Sequence, residues 1–230
     1  MMNIVAIVQA RMEETAWPGI IMNKVNRKPL LAYLIERVRR SKRIDHLVVT
    51  TSMKETDDAI VSLCKQLQVE AFRGSEKDVL GRFYETGRKF KTDVIVRLSG
   101  TGPLIDPAFI DQAVELFLQH YPDRLYVSNT LHKRTFPKGM EIEVFTYEVL
   151  KDAYMNASSS HDFEQVTPFI VKRVGEAAVG EVVHDQNLSH HDWSLDTMED
   201  FTFMEKIFQH VYPRNPSFSM KDVLTFIGND

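Results

Sequence analysis

A single cysteine, Cys64, stands in the 230 residues, so no internal disulfide is open to this chain. No stretch approaches the ~20 consecutive apolar residues that a membrane-spanning helix needs. Neither sign of charge dominates. The 28 Lys and Arg against 32 Asp and Glu leave a net charge of −4, without the basic excess of a nucleic-acid binder or a polybasic membrane anchor. Glycine-rich phosphate signatures are missing too: no G-x-x-x-x-G-K-[ST] occurs and no G-x-G-x-x-G follows the first strand, which argues against P-loop hydrolysis and dinucleotide-dependent hydride transfer. There is no internal repeat, low-complexity tract or linker, so residues 1–230, 43% of them hydrophobic, are expected to form one domain. The expected compartment is the reducing cytoplasm. Cys64 falls at helical spacing with Ile60, Val61 and Leu67 and reads as a core residue, not a nucleophile.

What is present is a regular alternation. Ile4-Val5-Ala6-Ile7-Val8 is a continuous apolar run of strand length, the pattern of a strand buried on both faces of a parallel sheet, and it has neither the basic lead-in nor the cleavage site of a signal peptide. Pro29 opens a helix with Leu30, Leu34, Ile35 and Val38 on one face. Arg39, Arg40, Lys42 and Arg43 crowd its end, where cations complement the dipole; a phosphate site there is disfavoured because helix C-termini repel anions. Strands are expected at 47–50, 69–72 and 94–96, with helices at 60–67 and 79–90 between them. Pro107 starts a further helix, and Leu125-Tyr126-Val127 returns to the sheet. This βαβαβ order predicts a doubly wound, mostly parallel α/β fold. Residues 140–145 instead alternate with period two, predicting a strand at the sheet edge or on a projecting antiparallel arm, about 132–146. Helices are expected near 163–171 and 201–211, with a last one capped by Ser219.

Ligands of open α/β sheets sit beyond the carboxyl ends of the strands. The first strand runs there into Gln9-Ala10-Arg11-Met12, then Trp17-Pro18-Gly19, and an early arginine before a Pro-Gly turn suits an anion. Arg73-Gly74-Ser75 and Ser99-Gly100-Thr101-Gly102-Pro103 follow two other strands as turns with backbone donors. Three such turns on one sheet predict a nucleotide or sugar-phosphate cleft. His184, Asp185, His190, His191 and Asp192 gather in one stretch, but their spacing matches no standard zinc pattern.

The order Val8-Gln9-Ala10-Arg11-Met12, Pro18-Gly19, Lys28-Pro29-Leu30-Leu31, Phe72-Arg73-Gly74-Ser75-Glu76-Lys77-Asp78-Val79-Leu80, Pro103-Leu104-Ile105-Asp106-Pro107, Val127-Ser128-Asn129-Thr130, 139–145, Val166-Thr167-Pro168 and Leu195-Asp196-Thr197-Met198-Glu199-Asp200-Phe201 covers nearly the whole chain. It closely resembles the spore-coat polysaccharide branch of the CMP-sugar-synthetase-like cytidylyltransferases. The resemblance implies a Rossmann-like, three-layer α/β/α fold of the glycosyltransferase-A type, often as a homodimer with the arm near 137–145 reaching toward the partner. It implies attack by a sugar or sugar acid on the α-phosphorus of CTP, release of pyrophosphate and use of Mg²⁺. By the same resemblance Arg11 and Asp196 are catalytic, Arg11 as a phosphate contact and Asp196 as a metal ligand. Gln9, Ala10, Arg73, Gly74, Ser75, Ser99 and Gly100 line the nucleotide site, and Asn129, Glu141 and Glu143 face the sugar.

Three positions depart from the family pattern. Ala16 and Ile20 stand where the family has basic residues, and Thr101 where it has an Asp. Lys24 or Lys28 is a candidate replacement for a cation and Asp106 for the carboxylate, although Asp106-Pro107 also reads as a helix cap. Arg11 has an alternative as a partner of Glu13 or Glu14, and Asp196 as a cap of the helix near Met198. Arg97 points either into the cleft or toward a helix, and Trp17 either stacks on a ligand or covers the core. Three activities are therefore weighed: a nucleotidyltransferase, a degenerate relative acting as a nucleotide- or sugar-binding subunit, and a nucleotide-sugar glycosyltransferase.

Overall fold

The wholly buried run Ile4–Gln9 forms β1, an interior strand of the seven-stranded sheet. The structure is a computed structural model and describes residues 2–13 and 15–228. After β1 come a short hairpin, β2 (Lys24–Val25) and β3 (Lys28–Pro29), then α1 (Leu30–Val38), β4 (His46–Ser52), α2 (Asp58–Gln66), β5 (Glu70–Gly74), α3 (Val79–Lys89) and β6 (Val94–Ser99). The second half contains α4 (Pro107–His120), β7 (Tyr126–Ser128), β8 (Glu143–Thr146), α5 (Tyr147–Asn156), α6 (Ser160–Glu164), α7 (Val166–Val174), β9 (Val179–Glu181), α8 (Met198–His210) and α9 (Met220–Ile227). The sheet order is β5-β4-β1-β6-β8-β7-β9. β1 pairs in parallel with β4 and β6, which explains its apolar composition: both its edges and both its faces are covered. One face packs on a core that includes Leu34, Ile60, Ile110 and Met204, from α1, α2, α4 and α8; the other packs on Phe83, Leu150 and Ile170, from α3, α5 and α7. This is a three-layer α/β fold. Cys64 is fully buried, and burial pushes its thiol up to about 11, as suits a core residue.

The stretch at 132–146 differs from expectation. β8 lies inside the sheet, antiparallel to β6 on one side and to β7 on the other, so it is not an edge strand. The carboxylate on its other face meets protein groups instead of solvent, which is why the period-two pattern misled. Ahead of β8, Thr135, Phe136, Met140 and Ile142 are buried, the three apolar ones within the larger core, while His132, Lys133 and Arg134 are exposed. The small antiparallel sheet is β2–β3.

Backbone packing is closest just beyond β6. A Cβ on Gly102 would stand 2.2 Å from the Gly139 carbonyl oxygen. Gly139 itself has φ +89°, and a Cβ there would meet the Trp193 carbonyl at 2.4 Å. Three chain segments therefore run together at glycines. Below them Arg37, 2% exposed, donates to the carbonyls of Ile105 at 2.7 Å and Phe218 at 2.9 Å. Burial lowers its pKa to about 10, so it remains a cation at neutral pH. Asp106 accepts from Ala108 N at 3.0 Å and Met220 N at 2.7 Å, capping α4 and holding the first turn of α9. Gly102→Ala is expected to lower the urea midpoint of unfolding, by about 1–3 kcal/mol of stability, because the neighbour is rigid backbone; an unchanged midpoint would show that the three segments separate freely.

Candidate functional site

The loop after β1 is held in place by a buried carboxylate. Asp57, 1% exposed, accepts from Met12 N at 2.8 Å, Thr51 Oγ1 at 2.9 Å and Ser52 N at 2.9 Å. Burial would raise its pKa, but the hydrogen bonds from Met12, Ser52 and Thr51 outweigh it and hold the carboxyl below its ordinary value. Gly19 N donates to Met12 O at 2.6 Å, closing the loop on itself. Lys54 bridges Glu13 at 2.6 Å and Glu76 at 2.7 Å, tying the loop to the turn after β5. Of the two glutamates weighed as partners of Arg11, Glu13 faces Lys54, and Glu14 lies outside the described residues. Arg11 Nη1 reaches the Glu76 carbonyl at 3.4 Å.

Asp196 arrives from the far end of the chain. Its Oδ1 accepts from Ala16 N at 2.6 Å and its carbonyl accepts from Trp17 N at 3.1 Å. Leu195 N donates to Thr101 O at 2.9 Å, so the same segment also lies beside the turn after β6. The cap of α8 is Thr197, whose hydroxyl bonds Asp200 N at 3.3 Å in a capping box. Asp196 is therefore not the cap. Trp17 packs edge-on against Phe201, ring centroids 5.9 Å apart, and covers the core.

Two cavities open at the carboxyl ends of β1 and β6 and share Gln9 and Arg97. The inner one, about 190 Å³, is lined also by Leu98, Ser99, Glu141 and Glu143. The outer one, about 490 Å³, is lined by Arg11, Glu76, Lys77, Val79, Glu164 and Gln165 as well. Arg97 sits between them and forms an ion pair with Glu143, its partner in register on β8. Tyr126 Oη donates to the other Glu143 oxygen at 2.7 Å. Arg97 thus points into the cleft, and the residues the sequence left undecided or missed at the site are Arg97, Tyr126, Lys77 and Asp57. An aspartate ahead of α2 reads as a helix cap, so nothing local marked Asp57 as a loop brace.

The expected site residues divide. Gln9, Arg11, Ser99, Glu141 and Glu143 line the cleft. Ala10 and Gly100 line neither cavity; their amides tie the strand-end loops together, donating to Thr50 O at 3.0 Å and Gln9 O at 2.7 Å. Arg73 does not enter it: its guanidinium turns to the Ser52 carbonyl at 2.9 Å and the Lys54 carbonyl at 2.6 Å, because edge strand β5 leaves that side open to the β4–α2 turn. Ser75 accepts from Asp78 N at 3.0 Å, and Gly74 lies against the Arg82 side chain. Asn129 is 1% exposed with its amide committed to Met140 O at 2.7 Å and Ile142 N at 2.8 Å, a sheet-like brace that removes it from sugar contact. Lys28 pairs with Glu36 and bonds Tyr212 Oη at 3.2 Å, so it supplies no cation to the cleft. Asp106 is the double cap described above and supplies no carboxylate. Lys24 is exposed on the hairpin, Ile20 is buried in the core, and Ala16 is exposed at the loop. The Thr101 hydroxyl lies 2.8 Å from Ser99 Oγ. His184 packs edge-on against Phe109 and Phe136.

Residues 5–213 match the cytidylyltransferase family. The chain belongs to that family. Among relatives of this cytidylyltransferase-family chain, the spore coat polysaccharide biosynthesis protein SpsF of Bacillus subtilis is 31% identical over 100% of this chain and 96% of its own length. A 3-deoxy-manno-octulosonate cytidylyltransferase of Trichlorobacter lovleyi is 35% identical over 51% of this chain and 46% of its own. A cytidylyltransferase structure from Leptospira borgpetersenii superposes with a TM-score of 0.93 at 28% identity, covering 100% of this chain and 95% of that one.

The brace beneath this cytidylyltransferase-family loop carries a pH dependence. Since the Asp57 pKa is lowered from its ordinary 3.8, its ionised form contributes stability that is fully present above that value and is lost as pH falls through the folded one. Asp57→Asn is expected to be about 1–3 kcal/mol less stable at neutral pH, with the gap to wild type closing as urea midpoints are followed below about pH 4. A gap independent of pH would contradict the assignment.

Proposed function

We propose that the protein transfers a cytidylyl group from CTP to a sugar hydroxyl and releases pyrophosphate. The observation that carries this reading is the Asp196 carboxylate seated on the loop of Arg11 by its bond from Ala16 N, a contact across 180 residues that has no role in capping α8. In the reaction a lone pair of the acceptor oxygen forms a bond to the α-phosphorus. The α–β phosphoanhydride bond breaks, its electron pair leaves with pyrophosphate, and the acceptor's proton is released to water. Transfer of this kind depends on positioning and on charge stabilisation at the phosphoryl oxygens. Arg11, on the wall of the outer cavity, supplies a cation, and the backbone bonds of Ala10 and Gly100 hold the loop that carries it.

Among the described residues no three His, Cys, Asp or Glu side chains are grouped to hold a metal ion. The donor set nevertheless suits one Mg²⁺, which favours hard oxygens and is commonly bound by one or two carboxylates together with substrate phosphates. Asp196 would hold it, with the Thr101 hydroxyl on the neighbouring segment, and the ion would neutralise developing phosphoryl charge. The likeness to SpsF supports a setting in spore coat polysaccharide synthesis, and a cytoplasmic location accords with it; no described helix is long and apolar enough to cross a membrane.

The burial of Ile20 and the Thr101 hydroxyl on Ser99 favour a second reading, a subunit that binds nucleotide or sugar without turnover. Calorimetric titration of CTP, UTP and ATP with and without Mg²⁺ separates the two when paired with pyrophosphate release. The expected result is Mg²⁺-dependent binding of CTP, weakened at least tenfold in Asp196→Asn, which keeps an acceptor for Ala16 N while removing the charge. Arg11→Ala is expected to lower turnover by ~10²–10³. Binding without turnover on any sugar supports the second reading; no nucleotide binding at millimolar concentration would sink the first.

A further inference from the structure

Charge in the inner cavity is arranged against a carboxylate ligand. Its lining holds one cation, Arg97, and two carboxylates, Glu141 and Glu143. The cation is already answered from within the protein. Arg97 and Glu143 are cross-strand partners on β6 and β8, and the pair is largely buried, at 25% and 13% side-chain exposure. Tyr126 fixes the second Glu143 oxygen from the next strand, so Glu143 does not swing away to free the guanidinium. Burial and Glu143 raise the Tyr126 pKa far above its ordinary value, which keeps the phenol a donor to that carboxylate. Thr167 lies 3.4 Å from the same Arg97 nitrogen.

Glu141 is fixed as well. Both its oxygens accept from Gly139 N, at 3.1 and 3.0 Å, and Arg134 approaches one of them at 2.7 Å. The remaining polar lining, Ser99 Oγ, the Gln9 side chain and the outer lone pairs of the two carboxylates, is rich in acceptors. A carboxylate entering here would compete with Glu143 for Arg97 while standing beside Glu141, and like charges held that close disfavour each other. Hydroxyl or ammonium groups meet acceptors instead.

Resting on the reading of the cleft as a cytidylyltransferase site, we propose that the inner cavity takes the acceptor sugar by an end that carries hydroxyl or ammonium groups and no carboxylate: a neutral or amino sugar in place of a sugar acid. The specificity-determining residues are Glu143, which cancels Arg97, and Glu141.

The test titrates glucose, glucosamine and 3-deoxy-manno-octulosonate into the protein alone and into the protein with CTP and Mg²⁺, followed by saturation-transfer NMR. Glucosamine or glucose is expected to bind at least tenfold more tightly than the octulosonate. Glu143→Gln, which uncovers Arg97, is expected to narrow or reverse that ratio by tenfold or more, and Glu141→Gln to shift it the same way to a smaller degree. Thermal melting identifies a variant that fails to fold, in which case the other variant and the wild-type ratio decide. Equal or tighter binding of the octulosonate to wild type, unaltered preference in folded variants, or no saturable sugar binding would each overturn the proposal. Failure of CTP to bind is read separately in the nucleotide titration and overturns the transferase reading, while the sugar ratios on the protein alone still judge the cavity.

Discussion

Parallel pairing of β1 with β4 and β6 brings three chain turns to one level, and every feature of the cleft depends on it. Gln9 stands opposite Thr50 on one side and Ser99 on the other. From that register Ala10 N reaches Thr50 O and Gly100 N reaches Gln9 O, so the backbone itself welds the loops together before any side chain contributes. Only then can Asp57, at the turn after β4, hold Met12 from below. Lys54 can likewise join the first loop to the turn after β5. A one-residue slip would reverse the faces of β1 and dissolve all of these contacts.

The other half of the cleft arrives by close backbone approach. Gly102, Gly139 and the segment at Trp193 and Ser194 lie so near one another that side chains at the glycines would collide with backbone oxygens. This packing accompanies the gathering of Glu141 and Glu143 with Gln9 around one cavity and the reach of Asp196 across to the first loop. The cleft is thus assembled from a rigid parallel half and a glycine-packed half. Arg97 and Glu143 pair across their junction, an arrangement that turns a charged position into a fixed, nearly neutral wall.

Much of the fold was legible because strand and helix leave different periods in sequence. The apolar run of β1, the one-sided face of α1 and the proline starts of α1 and α4 all lie where propensity and burial agree. Gln9, Arg11, Ser99, Glu141 and Glu143 line the two cavities because the sheet places the residues at and just beyond its strand ends. Arg73 and Asn129 turn away for a common reason: each is a hydrogen-bonding side chain next to open backbone groups of another segment, the Ser52 and Lys54 carbonyls for Arg73 and Met140 O and Ile142 N for Asn129. The alternation of 140–145 misled because period two reports two unlike faces and does not say whether the polar face meets water or a buried partner such as Arg97.

By itself the sequence determined the α/β class, the strand-end loops and the presence of Arg11 and Asp196 in a cytidylyltransferase-like order, because these rest on local periodicity and on residue type. Only the tertiary structure decided that β8 is internal, that Asp57 braces the first loop, and that Arg97 is answered by Glu143. Each of these joins residues far apart in the chain, through hydrogen bonds and burial that exist only once the sheet has set their separation.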